Sequence, residues 1–225
     1  MKSLKNWLLV LSVLSCFGCS SPVHEDGRGC AFVSDSIQYR VEFMSEGCVR
    51  ILSFPEGDTL VTKRLVVDSQ KPAFKDYKWK DTGQQLIFST RELSVAFDKE
   101  DAAFTFQEVS TGKLLLKDKE AKKARHFKRS VAGGEQCLEV TQRFVPTDDE
   151  AIYGLGQYQN GIMNYRGKSV LLLQANMDIV NPFLISTNGY GILWDNYSST
   201  KFEDTEEGYS FTSEVGDASD YYFVY

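Results

Sequence analysis

The chain has 225 residues, 42% hydrophobic and 13% aromatic, which is enough for one sizeable core or at most two small domains. Its formal net charge of −6 provides no concentrated basic face, so no nucleic-acid partner is predicted. Histidine occurs only at His24 and His126, and the cysteines lack metal-ligand spacing. The composition therefore supports neither a metal site nor a serine–histidine–aspartate triad, and we predict no cofactor.

Residues 1–19 are predicted to form a targeting segment. Lys2 and Lys5 precede a short apolar run, residues 7–14, that is too short to span a bilayer. Small residues then precede Cys16 and Cys19 in a pattern that resembles the cleavage box of bacterial lipoproteins. The sequence does not decide which cysteine carries the lipid, and an ordinary secretory peptide is the alternative. We expect a lipid-anchored protein of the bacterial cell envelope, in the periplasm or at the outer-membrane surface.

The polar, glycine-containing residues 20–35 are predicted to be a tether, and residues 36–225 a β-sandwich domain. Apolar residues alternate with polar ones over residues 37–43, which indicates a half-buried strand. Turn signals follow it, and further strands are predicted at residues 48–54 and 60–67. Three cysteines remain beyond the predicted targeting segment, at positions 30, 48 and 137, so at most one disulfide could form among them.

The rest of the chain continues in the same way, with turn signals about every ten residues and no capped amphipathic helix. Strands are predicted at residues 86–90, 92–97, 103–109, 114–116, 136–144, 170–174, 182–186, 190–195 and 221–225. The basic run Lys117–Arg129 is predicted to be a solvated hairpin or loop. The fold class is therefore an all-β antiparallel sandwich.

The chain stops inside the aromatic strand at residues 221–225. A strand that ended on exposed aromatic surface would be prone to aggregation. The sandwich is therefore expected to be incomplete at its C-terminal end, and the natural polypeptide is expected to continue.

The most unusual stretch runs from Tyr153 to Gly167 and combines four glycines and three tyrosines with an arginine and several amides. Glycine is used where the backbone takes a positive φ or approaches another group closely. Amides, arginine and aromatic rings are groups that bind sugars. The simpler interpretation of the same residues is a tight, polar β-turn region.

Three segments, residues 142–157, 176–183 and 188–196, together resemble the N-terminal domain of glycoside hydrolase family 31, which contains α-glucosidases and α-xylosidases. The first includes Tyr153-Gly154-Leu155-Gly156-Gln157, and the third includes Asn188-Gly189-Tyr190-Gly191-Ile192-Leu193-Trp194. The similarity covers most of the mature chain and is greatest to the bacterial α-xylosidases. It implies a galactose-mutarotase-like β-sandwich.

The resemblance also implies a division of labour. The family's retaining mechanism uses two aspartates on a (β/α)₈ barrel that follows this domain, and residues 176–178 only superficially resemble the nucleophile motif. No catalytic residue is therefore predicted in this chain. By its position in the loop that reaches the barrel mouth, Asp178 is predicted to bind a sugar hydroxyl. The alternative is a turn aspartate that accepts from the backbone N–H of Val180 or Asn181.

Five further residues are predicted, through the resemblance, to support the contact with the barrel: Gln157, Asn160, Tyr165, Arg166 and Trp194. Trp194 is expected to do so from the core, and Gln157 stands where many relatives have glutamate. The predicted function is the substrate-loop-bearing domain of an α-glycosidase, preferably an α-xylosidase, with an oligosaccharide and a catalytic barrel as partners. The alternative is a stand-alone carbohydrate-binding lipoprotein. A mutarotase is disfavoured, because that chemistry relies on a pair of histidines.

Overall fold

The computed structural model describes residues 23–58, 65–68, 73–119 and 125–225. All regular elements in these ranges are β-strands, numbered β1 to β18 in chain order, and they form two antiparallel sheets. Within the same ranges, no helix is long and apolar enough to cross a membrane.

The first sheet has eight strands, in the spatial order β1 (His24–Glu25), β2 (Cys30–Ser34), β3 (Ile37–Phe43), β4 (Cys48–Pro55), β18 (Ser219–Val224), β15 (Tyr190–Trp194), β14 (Ile179–Ser186) and β12 (Ile152–Gln157). The second sheet has ten strands, of which nine lie in the order β13 (Ser169–Leu172), β16 (Thr200–Thr205), β17 (Gly208–Gly216), β11 (Glu135–Val145), β9 (Leu114–Asp118), β8 (Ala103–Glu108), β7 (Leu93–Asp98), β6 (Gln85–Ser89) and β5 (Lys78–Asp81). The tenth, β10 (Arg125–Ala132), pairs with β11.

The two sheets pack face to face through aromatic side chains, because successive residues of a strand point to opposite faces. Phe106 of β8 stacks on Phe223 of β18 with 4.3 Å between ring centroids, and Trp194 of β15 stacks on Phe211 of β17 at 5.5 Å. All four side chains are fully buried. The predicted all-β antiparallel sandwich is therefore confirmed.

The predicted tether is wrong over residues 30–34. This segment is strand β2, which pairs with β3 and places Cys30 and Phe32 in the core. The short strand β1 extends the sheet by one more neighbour. Phe32 packs edge-on against Phe97 of the opposite sheet at 4.8 Å, so the domain begins before residue 36. Residues 1–22, with the predicted targeting segment, lie outside the described residues.

The basic run Lys117–Arg129 is only partly a loop. Lys117 and Asp118 end β9, and β10 begins at Arg125, while residues 120–124 lie outside the described ranges. Asp118 is fully buried and accepts hydrogen bonds from the Phe104 N–H at 3.4 Å and from the Tyr221 hydroxyl at 3.1 Å. The strand predicted at residues 60–67 lies mostly outside the described residues, and its last three residues form a bend.

The aromatic strand at the end of the chain buries its central aromatic side chains. Strand β18 lies in the interior of the eight-stranded sheet, paired with β4 on one side and β15 on the other. Tyr221, Tyr222 and Phe223 are all buried as a result. Along β18 the aromatic side chains are therefore covered within this chain, and the expectation that the natural polypeptide continues stays a prediction.

Candidate functional site

The segment with the unusual composition forms the edge strand β12, followed by a loop. Two residue pairs define its antiparallel pairing with the neighbouring strand β14: Gly154 pairs with Leu184, and Gly156 pairs with Val180. One residue of β12, Leu155, thus lies opposite three residues of β14. This bulge bends the sheet at its edge, and irregular strand pairing of this kind is common next to functional sites.

Both glycines are required because the backbones of β12 and β14 approach each other closely at these positions. A Cβ atom on Gly154 would lie 2.5 Å from the Phe183 carbonyl oxygen, and one on Gly156 would lie 2.1 Å from that of Ile179. Both glycines have positive φ, 99° and 121°, which residues with a side chain rarely adopt. Between them Leu155, with φ of 65°, places its side chain fully in the core. The Gly-Leu-Gly motif therefore shapes the site and does not itself present a functional group.

The second predicted segment lies directly beside the first. Gln157, at the end of β12, pairs with Ile179, the residue that follows Asp178. Asp178 closes a turn, its N–H donating to the Ala175 carbonyl at 3.3 Å. The structure therefore brings together two of the segments that carry the resemblance.

Asp178 presents a carboxylate that accepts no hydrogen bond and forms no ion pair within the described part of the chain. The alternative role, accepting from the Val180 or Asn181 N–H, is wrong, because the Val180 N–H donates to the Gln174 side chain at 3.2 Å and neither N–H donates to the Asp178 carboxylate. The Asp178 carboxylate lies close enough to the Tyr158 phenol to affect its pKa. Burial, and next the electrostatic effects of Tyr165 and Asp178, raises the pKa of Tyr158 to about 12, and its hydroxyl donates to the Leu155 carbonyl at 3.0 Å.

A buried polar cluster holds the turn that leads into β12. The Glu150 carboxylate accepts from the Ser186 hydroxyl at 2.7 Å, from the Thr147 N–H at 2.9 Å and from the Tyr190 hydroxyl. Burial, and next the charge of Glu150, raises the pKa of Tyr190 well above its usual value, so this phenol stays a donor. Because Ser186 and Tyr190 belong to β14 and β15, the cluster fixes the start of β12 to the sheet.

Arg166 fixes the loop that follows β12. Its guanidinium donates to the Asp204 carboxylate at 2.8 Å and to the carbonyl oxygens of Thr147 and Glu150 at 3.1 and 3.0 Å. An arginine that donates to two backbone carbonyls and a buried carboxylate of its own chain stabilises the local structure. Arg166 therefore supports the site from within the domain.

The other predicted support residues divide into two groups. Tyr165 and Trp194 are buried core residues, at 3% and 0% exposure, so neither presents a surface that a second domain could contact. For Trp194 this agrees with its expected place in the core, and for Tyr165 the prediction of a barrel-facing residue is wrong. Gln157 and Asn160 are exposed, and the Asn160 side chain accepts from the Ile162 N–H at 2.9 Å.

Large apolar side chains are unusually exposed on β12, on β14 and in the turns beside them. Tyr153 of β12 lies directly across from Ile185 of β14, and both project from the sheet with Ile179, which is 56% exposed. Met177, next to Asp178, is 65% exposed, and Met163, in the loop after β12, is 78% exposed. Clustered exposed apolar residues are typical of interaction sites rather than of free surface. We call these five residues the apolar rim.

The domain also has a cleft of about 290 Å³ with mostly apolar walls. It opens between β13, β14 and the loop after β15, with Leu172, Pro182, Trp194 and Tyr197 among its lining residues. Sequence reasoning missed this cleft, because its walls come from four separate segments. No group of three or more histidine, cysteine, aspartate or glutamate residues in the described ranges could hold a metal ion. The cysteines at positions 30, 48 and 137 are all free thiols.

A family model and individual relatives point to the same protein family. The model of the glycosyl hydrolase 31 N-terminal galactose mutarotase-like domain matches residues 38–203. An α-xylosidase of Saccharolobus solfataricus is 32% identical over 205 residues, which cover 84% of this chain and 26% of the relative. An uncharacterized family 31 glucosidase of Pseudescherichia vulneris is 35% identical over 100 residues, which cover 44% of this chain and 18% of that relative.

Solved structures agree. A family 31 α-xylosidase from Xanthomonas citri superposes with a TM-score of 0.73 at 31% identity, covering 82% of this chain and 20% of that one. An α-xylosidase from a soil metagenome, solved with xylose, gives a TM-score of 0.76 at 22% identity, covering 91% of this chain and 32% of that one. The chain thus spans about a fifth to a third of the length of these relatives.

Proposed function

Because the chain belongs to the N-terminal, galactose mutarotase-like domain family of glycosyl hydrolase family 31, we propose that it carries the substrate loop of a retaining α-glycosidase, namely an α-xylosidase. The observation that carries this proposal is the unpaired carboxylate of Asp178, held at a turn beside the β12–β14 crossing. A carboxylate can accept two hydroxyl hydrogen bonds from a sugar, and charge-assisted bonds are stronger than neutral ones.

The reacting carboxylates belong, in this proposal, to a catalytic domain that works with this chain. Retaining glycosidases need two carboxyl groups about 5–5.5 Å apart, one as nucleophile and one as acid and base. The apolar rim supports this arrangement, because a second domain would cover its exposed side chains next to Asp178. The choice of an α-xyloside substrate is supported by the names of two relatives, 32% and 31% identical, that match 84% and 82% of this chain.

Hydrolysis of an aryl α-xyloside tests the proposal directly. We expect no hydrolysis by the chain alone and hydrolysis by a polypeptide that joins the chain to its catalytic domain. In that enzyme, Asp178→Ala should lower kcat/KM by about 1–3 kcal/mol, roughly 5- to 150-fold, because a hydroxyl contact is lost. Asn176→Ala, an exposed neighbour in the same turn, is the matched control and should change kcat/KM less than twofold. Unchanged kinetics for Asp178→Ala would refute the proposal.

The cleft favours a second candidate function, a stand-alone carbohydrate-binding lipoprotein. Its walls include Tyr197, which is 53% exposed, and an aromatic ring on an apolar floor can stack on a sugar ring. Calorimetric titration of the isolated chain with xyloglucan oligosaccharides distinguishes the two functions. Micromolar binding that is lost in Tyr197→Ala would favour this candidate, and no binding would favour the first.

The place in the cell is also a proposal. A lipid on Cys19 or Cys16 would hold the chain at the bacterial cell envelope. Metabolic labelling with a fatty acid, in Cys16→Ser and Cys19→Ser variants, identifies the modified cysteine. Absence of label in the unsubstituted protein would instead favour an ordinary secretory peptide.

A further inference from the structure

We infer that Gln174 is a positioning residue that fixes the direction of Asp178 through the backbone, an inference that rests on the function proposed for Asp178. The Gln174 side chain bonds the chain on both sides of Ile179. Its Nε2 donates to the Asp178 carbonyl at 2.8 Å, and its Oε1 accepts from the Val180 N–H at 3.2 Å. One amide thus bridges two backbone groups, two residues apart, at the point where the turn enters β14.

This pattern imitates a missing strand. In a ladder, a carbonyl and the N–H two residues later point to the same side of the strand, where a neighbouring strand can bond both. Within the described residues, β15 pairs with β14 from Phe183 to Ser186 and does not reach Ile179. A primary amide offers the same donor and acceptor as a peptide group. The Gln174 side chain therefore supplies locally what a strand neighbour would supply.

The turn needs this support because it is strained. Met177, immediately before Asp178, has a φ of 68°, a left-handed conformation that is unfavourable for a residue with a side chain. The single turn bond, from the Asp178 N–H to the Ala175 carbonyl, is long at 3.3 Å. With the Gln174 bond added, both backbone groups of Asp178 are engaged. Only the side-chain torsions of Asp178 then remain free to be ordered when a sugar binds.

A group that is already in place loses less conformational freedom on binding, and the contact it makes is correspondingly stronger. Gln174 is exposed, so water competes with both of its hydrogen bonds and limits their net strength. We therefore expect a moderate effect on substrate binding and none on the chemical step. This combination separates a positioning residue from a residue on which the fold depends.

The test is a double-mutant cycle in the enzyme that joins this chain to its catalytic domain, with an aryl α-xyloside as substrate. Gln174→Met keeps the length of the side chain and removes both hydrogen bonds. We expect KM to rise about 3- to 10-fold with kcat within twofold. In the Asp178→Ala background, the same substitution should change KM less than twofold, because the residue that it positions is gone. An equal rise in both backgrounds would overturn the inference.

The matched control is Gln159→Met, which removes an exposed amide from the loop after β12 and should leave KM unchanged within twofold. A similar KM rise in this variant would mean that the effect is not specific to Gln174, and would also overturn the inference.

Amide hydrogen exchange in the chain itself, measured by NMR without any sugar, is the second readout. Gln174→Met should speed exchange of the Val180 N–H about 3- to 10-fold, because its acceptor is lost. Unchanged exchange overturns the inference even if Asp178 proves to bind sugar. If Asp178→Ala leaves the kinetics unchanged while Val180 exchange responds, the proposed function fails and the backbone bridge stands.

Discussion

Two aspartates of this domain, Asp220 and Asp178, differ in what surrounds their carboxylates. Asp220 lies on the side of the eight-stranded sheet that faces away from the main core, beside Arg50, whose neighbours Val49 and Ile51 point into that core. Arg50 donates to both oxygens of Asp220, one at 2.7 Å, and to Glu42 at 3.0 Å. Burial raises the pKa of Asp220 to about 6 against the opposing effect of Arg50.

Asp178 has no such arrangement. Its carboxylate is partly exposed and forms no ion pair in the described part of the chain, and the residues on either side of it in the chain, Met177 and Ile179, are exposed apolar residues. The backbone N–H and carbonyl of Asp178 are both hydrogen-bonded, so the difference does not come from a loosely held backbone. Asp220 is thus held by a cation within the fold, whereas Asp178 is held at its turn without a cation from the described part of the chain, as expected of a group that binds something from outside.

Removing the paired aspartate should have the largest effect on stability. Asp220→Ala leaves the Arg50 guanidinium, which is 1% exposed, without its bidentate partner, and losing one member of a buried ion pair costs about 3–5 kcal/mol. Urea unfolding at pH 7.5 measures the change in free energy. Asp26→Ala is the control, because Asp26 pairs with Arg40 near the surface, with its side chain 37% exposed, and should cost less than about 1 kcal/mol. Equal costs would contradict the contrast between buried and exposed pairs.

Disturbing the close approach of β12 to β14, next to Asp178, should have the next largest effect on stability. Gly156→Ala puts a Cβ atom 2.1 Å from the Ile179 carbonyl at a φ of 121°, so the crossing must open, at about 2–3 kcal/mol. Gly161→Ala, also at positive φ but with open space around it, should cost only about 1–2 kcal/mol. Urea unfolding of both variants gives the difference. If Gly161→Ala proved as costly, backbone conformation rather than close approach would explain the glycine at position 156.

The regular half of the fold was predictable because its strands alternate cleanly. Strands β3, β7 and β11 each place apolar residues on one face, and the sequence located all three. Strands β16 and β17 were missed because they bury polar residues that satisfy one another. The hydroxyls of Thr200 and Ser213, for example, bond at 2.6 Å in the interior. A polar residue paired across two strands gives no signal in either strand alone.

The candidate site was predictable only through the resemblance. The motif around Gly154 and the segment around Asp178 are neighbours across a bulge, and no periodicity in the sequence indicates where a bulge occurs. The contacts of Gln174 and Tyr158 were missed for a related reason. Each is a side chain that bonds a backbone group three to six residues away, which depends on the path of the turn rather than on residue type.

The smallest expected change in stability comes from Asp178 itself. Asp178→Ala removes a carboxylate that bonds nothing in the described part of the chain, so the free energy of unfolding should change by less than about 0.5 kcal/mol. The same substitution should lower kcat/KM of the joined enzyme at least fivefold, and urea unfolding and kinetics on one preparation measure both. A loss above about 1 kcal/mol would instead identify Asp178 as a residue that stabilises its own turn. The opposite pattern is expected for Asp220→Ala, because its partner Arg50 lies within the fold rather than in a ligand.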